Sequence, residues 1–309
     1  MLTLYSITTQ LPRVRLGGCS CRSPLAHFYV QHAESSIREL HPFTTITHLA
    51  TENEATVSTD HNIAIEFLFR RQGGPGPRSS PSELPPRTMF TRHALKRKKK
   101  RLQTLQWTAK LAALADQSLA KDSQIEAHPI VSNGISISLR LEGPYFSPAD
   151  PHIYDTAICL VAGTGISGAL AIASAFKYST TSKQEAPAAV NAYPSSSSQG
   201  SDSHFRRWRR CIVMWSVKAS EEIDLPVKFD SCKGLELRKF LTGEGRERVD
   251  MARELECATQ KTWVYISGPK AFIHASKAAC NTVQGSMKRL EGKWTGGETL
   301  DYYAASWDP

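Results

Sequence analysis

The chain has 309 residues, of which 40% are hydrophobic, and a formal net charge of +9. This length suits about two domains at roughly 150 residues each, and the apolar content is sufficient for packed cores. The N-terminus has no long apolar segment, so we expect no secretory signal. The seven cysteines form no disulfide-like framework, which favours a reducing compartment. Cys19-Ser-Cys21 lacks the second pair that a zinc site needs, so we predict no metal site.

Residues 1–70 are rich in β-forming side chains. Two runs of strand length, 25–31 and 63–69, flank the motif His41-Pro42-Phe43-Thr44. Pro42 favours an extended conformation at His41, and the residues after it could pack beside a flat ring and hydrogen-bond to its edge. An ordinary strand that begins beside a proline is the alternative interpretation.

Residues 72–106 have the composition of a disordered surface insertion, because Gly, Pro and Ser are frequent and no apolar face recurs. The segment ends in a basic block at 92–101. Such a block is typical of a solvated loop, but it could also bind nucleic acid, act as a nuclear signal or lie against anionic lipid.

Regular patterns resume after this insertion. Residues 107–115 favour a helix, with Thr108 as a candidate cap. Residues 135–140 alternate between apolar and polar as in a half-buried strand, and Gly143-Pro144 is predicted to end that strand and to close the first domain.

The stretch 154–168 predicts a buried strand, a glycine turn and the start of a helix. Residues 157–161 are an uncharged apolar run, Gly163-Thr164-Gly165 permits a sharp turn, and 168–176 is rich in alanine. A helix after such a turn directs free N–H groups and its positive dipole end at any ligand there, which favours phosphate. An ordinary α/β connection is the alternative. The uncharged stretch 157–176 is as long as a membrane span, but its small residues indicate a soluble core.

Residues 179–203 form a second low-complexity segment, rich in Ser, Thr and Ala. The elements predicted after it are a strand at 211–217, short helices at 235–241 and 246–257, a strand at 262–266 and a helix at 270–287. Strands that alternate with helices imply a mainly parallel sheet, whose ligands bind outside the carboxyl ends of the strands. Because Gly163-Thr164-Gly165 and Ser267-Gly268-Pro269 both follow strands, we expect them at the same edge.

Four motifs occur in order along the chain: His-Pro-Phe-Thr at 41–44, Glu-Gly-Pro-Tyr at 142–145, Ala-Gly-Thr-Gly-Ile-Ser at 162–167 and Ser-Gly-Pro at 267–269. This order resembles the cytosolic half of the ferric reductase and NADPH oxidase family, with the closest likeness to fungal ferric-chelate reductases, and more broadly the ferredoxin–NADP reductase superfamily. The resemblance covers about residues 25–70 and 107–309.

The resemblance implies an α/β fold with a β-barrel. Residues 1–149 would form a flavin-binding β-barrel domain, interrupted by the insertion at 72–106. Residues 150–309 would form a Rossmann-like NAD(P)H-binding domain with a parallel sheet, interrupted at 179–203.

The resemblance places the FAD contacts in the first domain. The flavin ring would be lined by His41, Pro42, Phe43 and Thr44, and Thr44 would be a hydrogen-bond partner near flavin N5. Thr108 would lie near the FAD phosphates, and Gly143 belongs to the second motif.

The NADPH contacts would lie in the second domain. The pyrophosphate turn matches Gly163, Thr164, Gly165 and Ile166. Ser267, Gly268 and Pro269 match the turn beside the nicotinamide, and Lys218 falls where the family often has Arg near the nucleotide. Trp307 falls near the terminal aromatic residue that stacks on the flavin until nicotinamide displaces it.

The resemblance implies an FAD-dependent oxidoreductase that takes hydride from NADPH and passes electrons to a ferric chelate or another one-electron acceptor. Hydride transfer requires positioning and electrostatics rather than a side-chain acid or base, so Thr44 and Ser267 are the expected catalytic neighbours. The family works at the cytosolic face of a membrane, which implies a membrane surface or a separate haem-bearing partner. The chain itself has no predicted transmembrane helix, which leaves a cytoplasmic location open.

The sequence departs from the family pattern in several places. Only one glycine precedes Thr164 where the family usually has two, Ser267 replaces a cysteine, and Ala305 stands where an acidic residue is usual. The haem-binding transmembrane helices are missing. These departures keep open a second hypothesis, a truncated and non-catalytic remnant of a ferric reductase. A third hypothesis, a basic nucleic-acid-binding module built on 92–101, ranks below both and predicts a strongly salt-dependent affinity. The sequence leaves the acceptor, the choice between NADPH and NADH, and the oligomeric state open.

Overall fold

The computed structural model describes residues 4–12, 23–32, 41–47, 49, 62–70, 139–181, 208–217, 225, 227–242, 249–256, 261–290 and 299–305. Within these residues, strands form three sheets, two of them antiparallel and one parallel. The helix predicted at 107–115, the insertion at 72–106 and the low-complexity residues 182–203 lie outside the described residues.

The first five strands form the two antiparallel sheets. One sheet pairs β1 (Leu4–Pro12) with β4 (Asn62–Arg70). The other has the order β3-β2-β5 and contains β2 (Ala26–His32), β3 (His41–Thr44) and β5 (Leu139–Phe146). The β-rich character predicted for residues 1–70 is therefore confirmed wherever the structure describes them.

The two antiparallel sheets meet just after β3. Thr45 forms an isolated bridge with Phe67, and its N–H donates to the Ala26 carbonyl over 3.0 Å. The N–H of Ile46 donates to the Glu66 carbonyl over 2.9 Å. Across the described ranges, the strands form these two bridged sheets, and the closed barrel that the resemblance implies is not shown there.

The remaining strands form one five-stranded parallel sheet in the order β10-β9-β6-β7-β8. Its strands are β6 (Thr156–Ala162), β7 (Arg210–Val217), β8 (Leu235–Leu241), β9 (Thr262–Ser267) and β10 (Leu300–Ala305). The helices are α1 (Ile166–Thr181), α2 (Met251–Leu255) and α3 (Lys270–Leu290). This arrangement confirms the predicted α/β class with a parallel sheet.

Helices cover both faces of the parallel sheet. α1 packs on the face that carries Cys159 and Trp215. α3 packs on the opposite face, together with Leu255 of α2, against Ile158 and Ile212. Because β6, β7 and β9 are buried on both faces, their sequences are continuous apolar runs rather than alternating patterns.

The segment 235–241, predicted as a short helix, is instead the edge strand β8. Its sequence Leu-Glu-Leu-Arg-Lys-Phe-Leu fits a period of two as well as a helical period. Arg238 forms ion pairs with Glu236, two residues away, and with Glu254 of α2, at 2.6 and 3.0 Å. Residues two apart face the same side of a strand but different sides of a helix, so the first pair requires the strand.

The strand that Gly143-Pro144 was predicted to end continues through both residues to Phe146. The pairing of β2 with β5 shifts register between His27 and Tyr29, and Gly143 lies in the resulting bulge on β5 with a φ of +136°. A Cβ on Gly143 would lie 3.0 Å from the His27 carbonyl oxygen. Glycine therefore carries the strand past a bulge instead of ending it.

Two further predictions differ in extent from the structure. The helix predicted at 246–257 is the short α2, which Asp250 caps by accepting from the N–H groups of Ala252 and Arg253. α1 continues to Thr181, three residues into the stretch whose composition predicts an insertion from 179. The strand β10, which pairs in parallel with β9, has no counterpart among the predicted elements.

The uncharged stretch 157–176 divides into β6, a turn and α1; the strand and the helix are packed in the core as predicted, whereas the turn lies at the surface. Among the residues that the structure describes, no helix combines the length and apolar character that crossing a membrane requires.

We predict that Ile158→Ala lowers the free energy of unfolding by about 2–5 kcal/mol, because Ile158 is fully buried between β6 and α3. Urea denaturation measures the change. The matched control is Ile153→Ala, which removes the same atoms from a side chain that is 48% exposed and should cost less than about 0.5 kcal/mol. Equal losses in the two variants would contradict the core described here.

Candidate functional site

The parallel sheet reverses its strand order between β6 and β9. The connection after β6 leads to α1 on one face, whereas the connection after β9 leads to α3 on the other. Two connections that diverge in this way leave a crevice at the carboxyl ends of the strands, where open α/β sheets bind their ligands. The turn at 163–165 and the turn at 267–269 both lie at this edge, as the sequence predicts.

The Gly163–Gly165 turn joins β6 to α1 in a single tight turn. Gly163 has a φ of +57°, and a Cβ at this position would meet nothing within 4 Å. The indole Nε1 of Trp215 donates to the Gly163 carbonyl over 3.1 Å, which ties the turn to β7. The hydrogen bond thus fixes the turn against β7, and the Cβ position of Gly163 faces open space.

The N-terminus of α1 points into the crevice. The helix has 16 residues, begins at Ile166 and carries no acidic residue in its first turn. The partial positive charge at this end therefore has no carboxylate from its own first turn to offset it. Thr164, which precedes the helix, is exposed. An open glycine turn, an exposed hydroxyl and an uncompensated helix N-terminus together fit a phosphate group.

The two turns are packed directly against one another. A Cβ on Gly165 would lie 2.6 Å from the carbonyl oxygen of Ser267, so only glycine permits this approach. On the other side, Gly268 has a φ of +153°, and a Cβ there would lie 3.0 Å from the Cβ of Ala162. The absence of side chains at Gly165 and Gly268 brings the ends of β6 and β9 into backbone contact.

A narrow, partly open cleft lies between this edge and the β3-β2-β5 sheet. One wall includes His27 and Thr44, which pair across β2 and β3. The other wall includes Tyr265, Tyr303 and Ala305, from the neighbouring strands β9 and β10. The enclosed part of the cleft is far smaller than a small-molecule site, which usually spans about 300–1,000 Å³, so a flat ring system could only lie across its mouth.

Burial favours the uncharged forms of His27 and Tyr265, which line the cleft. Burial lowers the pKa of His27, so its imidazole is neutral, and burial raises the pKa of Tyr265, so its phenol keeps its proton. The His27 ring stacks on Tyr145, with ring centroids 5.5 Å apart. The Tyr145 hydroxyl donates to Glu142 Oε1 over 2.6 Å, and this hydrogen bond raises the pKa of Tyr145. An uncharged aromatic surface of this kind suits a flat heterocycle.

The two residues predicted as catalytic neighbours lie at different depths. Thr44 is half-buried and lines the cleft. Ser267 is only 4% exposed, and its Oγ would lie 3.0 Å from a Cβ on Gly165. The Ser267 side chain therefore faces the underside of the glycine turn rather than the open cleft.

The other residues of the His-Pro-Phe-Thr motif divide between the two faces of β3. Pro42 is exposed and pairs with Tyr29 in β2, where an edge strand tolerates its missing N–H. Phe43 packs edge-to-face on Phe67, with centroids 6.2 Å apart, and so faces the small core between the antiparallel sheets. His41 is the first residue of the strand.

The structure brings the second set of predicted residues together at the switch point. These residues are Gly163, Thr164, Gly165, Ile166, Ser267, Gly268 and Pro269. Gly143 lies apart from them, in the bulge between β2 and β5. Thr108, Lys218 and Trp307 lie outside the described residues. In the described part of the chain, no three metal-ligating side chains come together.

Several residues of the site belong to none of the predicted motifs. His27 and Tyr303 line the cleft, Tyr265 lies at its base, and Trp215 holds the glycine turn. Tyr265 could have been found, because it lies two residues before Ser267 in a strand and so faces the same side of the sheet. His27 and Tyr303 carry no local signal, since only the packing of the sheets brings them together.

Comparison with known proteins gives structural matches only. No protein-family model matches the sequence, and no curated protein matches it with significance. Similar solved structures include the ferredoxin reductase of carbazole 1,9a-dioxygenase in its FAD apo form, at 13% identity and a TM-score of 0.42, covering 97% of this chain and 62% of that one. The chain thus spans less than two thirds of that protein.

Two other similar structures match over most of both chains. The cytochrome b5 reductase domain of Ulva prolifera nitrate reductase has 10% identity and a TM-score of 0.45, covering 97% of this chain and 91% of that one. Ferredoxin-NADP+ reductase from Plasmodium falciparum with 2'P-AMP has 9% identity and a TM-score of 0.44, covering 98% and 89%. Similarities this low do not transfer a function from one chain to another.

We predict that Gly165→Ala destabilises the protein by about 1–3 kcal/mol, because the added methyl group collides with backbone rather than with a movable side chain. Thermal and urea unfolding measure the loss. The control is Thr164→Ala, which shortens an exposed side chain in the same turn and should stay within about 0.5 kcal/mol of the parent. A Gly165→Ala variant as stable as the parent would show that the two turns are not in contact in solution.

Proposed function

We propose that this chain is an FAD-dependent oxidoreductase that takes hydride from NADPH and passes electrons to a one-electron acceptor such as a ferric chelate. One observation carries the proposal: two glycine-containing turns meet at the switch point of the parallel sheet, beside a cleft lined by Thr44. A dinucleotide at the turns and a flat ring at the cleft would lie against one another.

The dinucleotide would bind across the carboxyl edge of the parallel sheet. The pyrophosphate would lie at Gly163, Thr164, Gly165 and Ile166, where the open turn and the helix N-terminus favour negative charge. Lys218, which follows β7, would hold the 2′-phosphate, because the end of the second strand is where such folds contact the adenosine ribose. A cation at this position favours NADPH over NADH.

The nicotinamide would lie beside the turn of Ser267, Gly268 and Pro269. This turn lies between the phosphate turn and the cleft, so it lies on the path from pyrophosphate to flavin. Because the Ser267 side chain faces inward, Ser267 would affect nicotinamide binding only by setting the conformation and position of the turn.

The flavin would lie against β3, with Thr44 as a hydrogen-bond partner at its edge and His27 beside it. His41, Pro42 and Phe43 would support this strand, and Gly143 would shape the neighbouring bulge. Thr108 would lie near the FAD phosphates, and Trp307 would cover the flavin ring. Bound FAD supplies the exchange between two-electron and one-electron chemistry.

The residues that the chain contributes act by position and by charge. Thr44, Tyr265 and Ala305 come from three different strands and border the cleft, so they would position the edge of the ring that lies across its mouth. The neutral state of His27 and Tyr265 keeps the wall uncharged. No side chain has to accept or release a proton for hydride to pass between stacked rings.

The acceptor is proposed on charge and on the family resemblance. A net charge of +9 favours anionic acceptors, which include many ferric chelates. A haem-bearing partner or an anionic membrane surface would be attracted by the same charge. In this proposal residues 1–149 hold FAD and residues 150–309 hold NADPH.

The test is an absorbance spectrum of the full chain after incubation with FAD and desalting, followed by anaerobic addition of NADPH. We expect a retained flavin spectrum that bleaches with NADPH and returns when ferric citrate is added. Retained flavin that NADPH leaves unbleached would contradict the hydride step. No retained flavin would favour the non-catalytic remnant instead.

We predict that Thr44→Val slows bleaching by NADPH roughly tenfold, because a hydrogen bond of about 1–1.5 kcal/mol is lost from the flavin edge while the side chain keeps its shape. Stopped-flow absorbance measures the rate. Thr44→Ser, which keeps the hydroxyl, should restore most of it.

The neighbouring residue is the matched control. Thr45 is fully buried, its Oγ1 donates to the Glu66 carbonyl over 3.3 Å, and it accepts from the Thr47 N–H over 3.1 Å. Thr45→Val should therefore cost about 1–3 kcal/mol of stability and leave the bleaching rate of the folded protein unchanged. The same loss of rate in both variants would remove the special role proposed for Thr44.

A further inference from the structure

The hydroxyl of Tyr265 lies directly beneath the start of α1. Tyr265 is 2% exposed and belongs to the middle of β9. A Cβ on Gly168, in the first turn of α1, would overlap this hydroxyl. Gly168 is therefore the residue of α1 that contacts the Tyr265 hydroxyl. The distance between α1 and the sheet depends on the position of this hydroxyl.

A second hydroxyl continues this support toward the glycine turn. Ser267 lies two residues after Tyr265 in β9, faces the same side of the sheet and is 4% exposed. The Ser267 carbonyl and Oγ lie against Gly165, where a Cβ would approach them to 2.6 and 3.0 Å. The two hydroxyls therefore lie beneath Gly168 and Gly165 respectively.

The position of the Tyr265 hydroxyl is fixed by the ring that carries it. The ring stacks between Trp263 and Tyr303, with centroid distances of 6.4 Å on both sides and interplanar angles of 27° and 18°. Burial raises the pKa of Tyr265, so the hydroxyl keeps its proton throughout the neutral range. Because the ring is rigid and stacked on both sides, it holds the hydroxyl against α1 in a more defined position than a flexible side chain of the same length would.

A phenylalanine at position 265 could bury the same ring without burying a hydroxyl. A hydroxyl in the core costs free energy that a phenylalanine would avoid. Here the hydroxyl contacts Gly168, at the start of the helix that follows the turn that would hold the pyrophosphate.

We propose that Tyr265 is a positioning residue that sets the height of the Gly163–Gly165 turn and of the N-terminus of α1, and thereby their fit to the pyrophosphate of the dinucleotide. This inference rests on the proposed function and adds the residue that adjusts the phosphate site. Tyr265 acts through its contact with Gly168 and not by contact with the phosphates.

The test compares two ligands in the full chain with Tyr265→Phe. NADP+ carries the pyrophosphate, whereas 2′-phospho-AMP shares its adenosine end and lacks the pyrophosphate. We expect the Kd for NADP+ to rise roughly five- to tenfold and the Kd for 2′-phospho-AMP to stay within about twofold, measured by titration calorimetry. We also expect KM for NADPH to rise by the same factor.

Two further variants make the result specific. Tyr154→Phe removes a hydroxyl that donates to Asp301 Oδ2 over 2.7 Å at the opposite edge of the same sheet, and it should leave both affinities unchanged. Gly168→Ala pushes the helix away from the tyrosine and should weaken NADP+ selectively, as Tyr265→Phe does. Gly168→Ala also serves as the test if Tyr265→Phe fails to fold.

The outcomes distinguish this inference from the function on which it rests. A folded Tyr265→Phe or Gly168→Ala variant that binds NADP+ as tightly as the parent overturns the inference. Equal loss of both ligands also overturns it, because the hydroxyl would then serve general stability only. A parent chain that binds neither ligand overturns the proposed function itself, and with it the premise of the inference.

Discussion

The contact between the ends of β6 and β9 is the constraint on which the rest of the site depends. Gly165 touches the backbone of Ser267, and a methyl group at this position would come within 2.6 Å of a carbonyl oxygen. The strands are hydrogen-bonded neighbours, so their turns must share the same small volume. Glycine satisfies this requirement, and the direction of α1 and the opening of the crevice follow from it.

The cleft depends on a second set of contacts, which anchor the antiparallel sheet to the parallel one. Leu25, Ile46 and Ala149 lie in the same apolar core as β6 and α1. β4 also approaches the Gly163–Gly165 turn, and α1 approaches β3. The position of Thr44 opposite Tyr265 is therefore set by core packing rather than by a loop. A ring held at such a cleft would be oriented by rigid elements on both sides.

The electrostatic character of the site changes over a short distance. The turn and the start of α1 offer partial positive charge and no nearby carboxylate of the first helical turn. The cleft next to them is aromatic and neutral, because burial favours the uncharged forms of His27 and Tyr265. A ligand with an anionic middle and a flat neutral end matches this change in character. That match is the physical basis on which a nicotinamide dinucleotide is proposed, with the resemblance as an independent line of support.

The sequence by itself determined the elements whose signals are local. The apolar run at 157–161, the glycine turn after it, the alanine-rich helix and the two turns at one edge follow from strand length, glycine and alternation. Only the tertiary structure decided that 235–241 is a strand, since pairing with β7 and the ion pair between Glu236 and Arg238 outweigh a helical pattern. It also decided that Ser267 faces inward and that His27, Thr44 and Tyr303 share a cleft. Those relations join residues distant in sequence, and no local pattern encodes how two sheets pack.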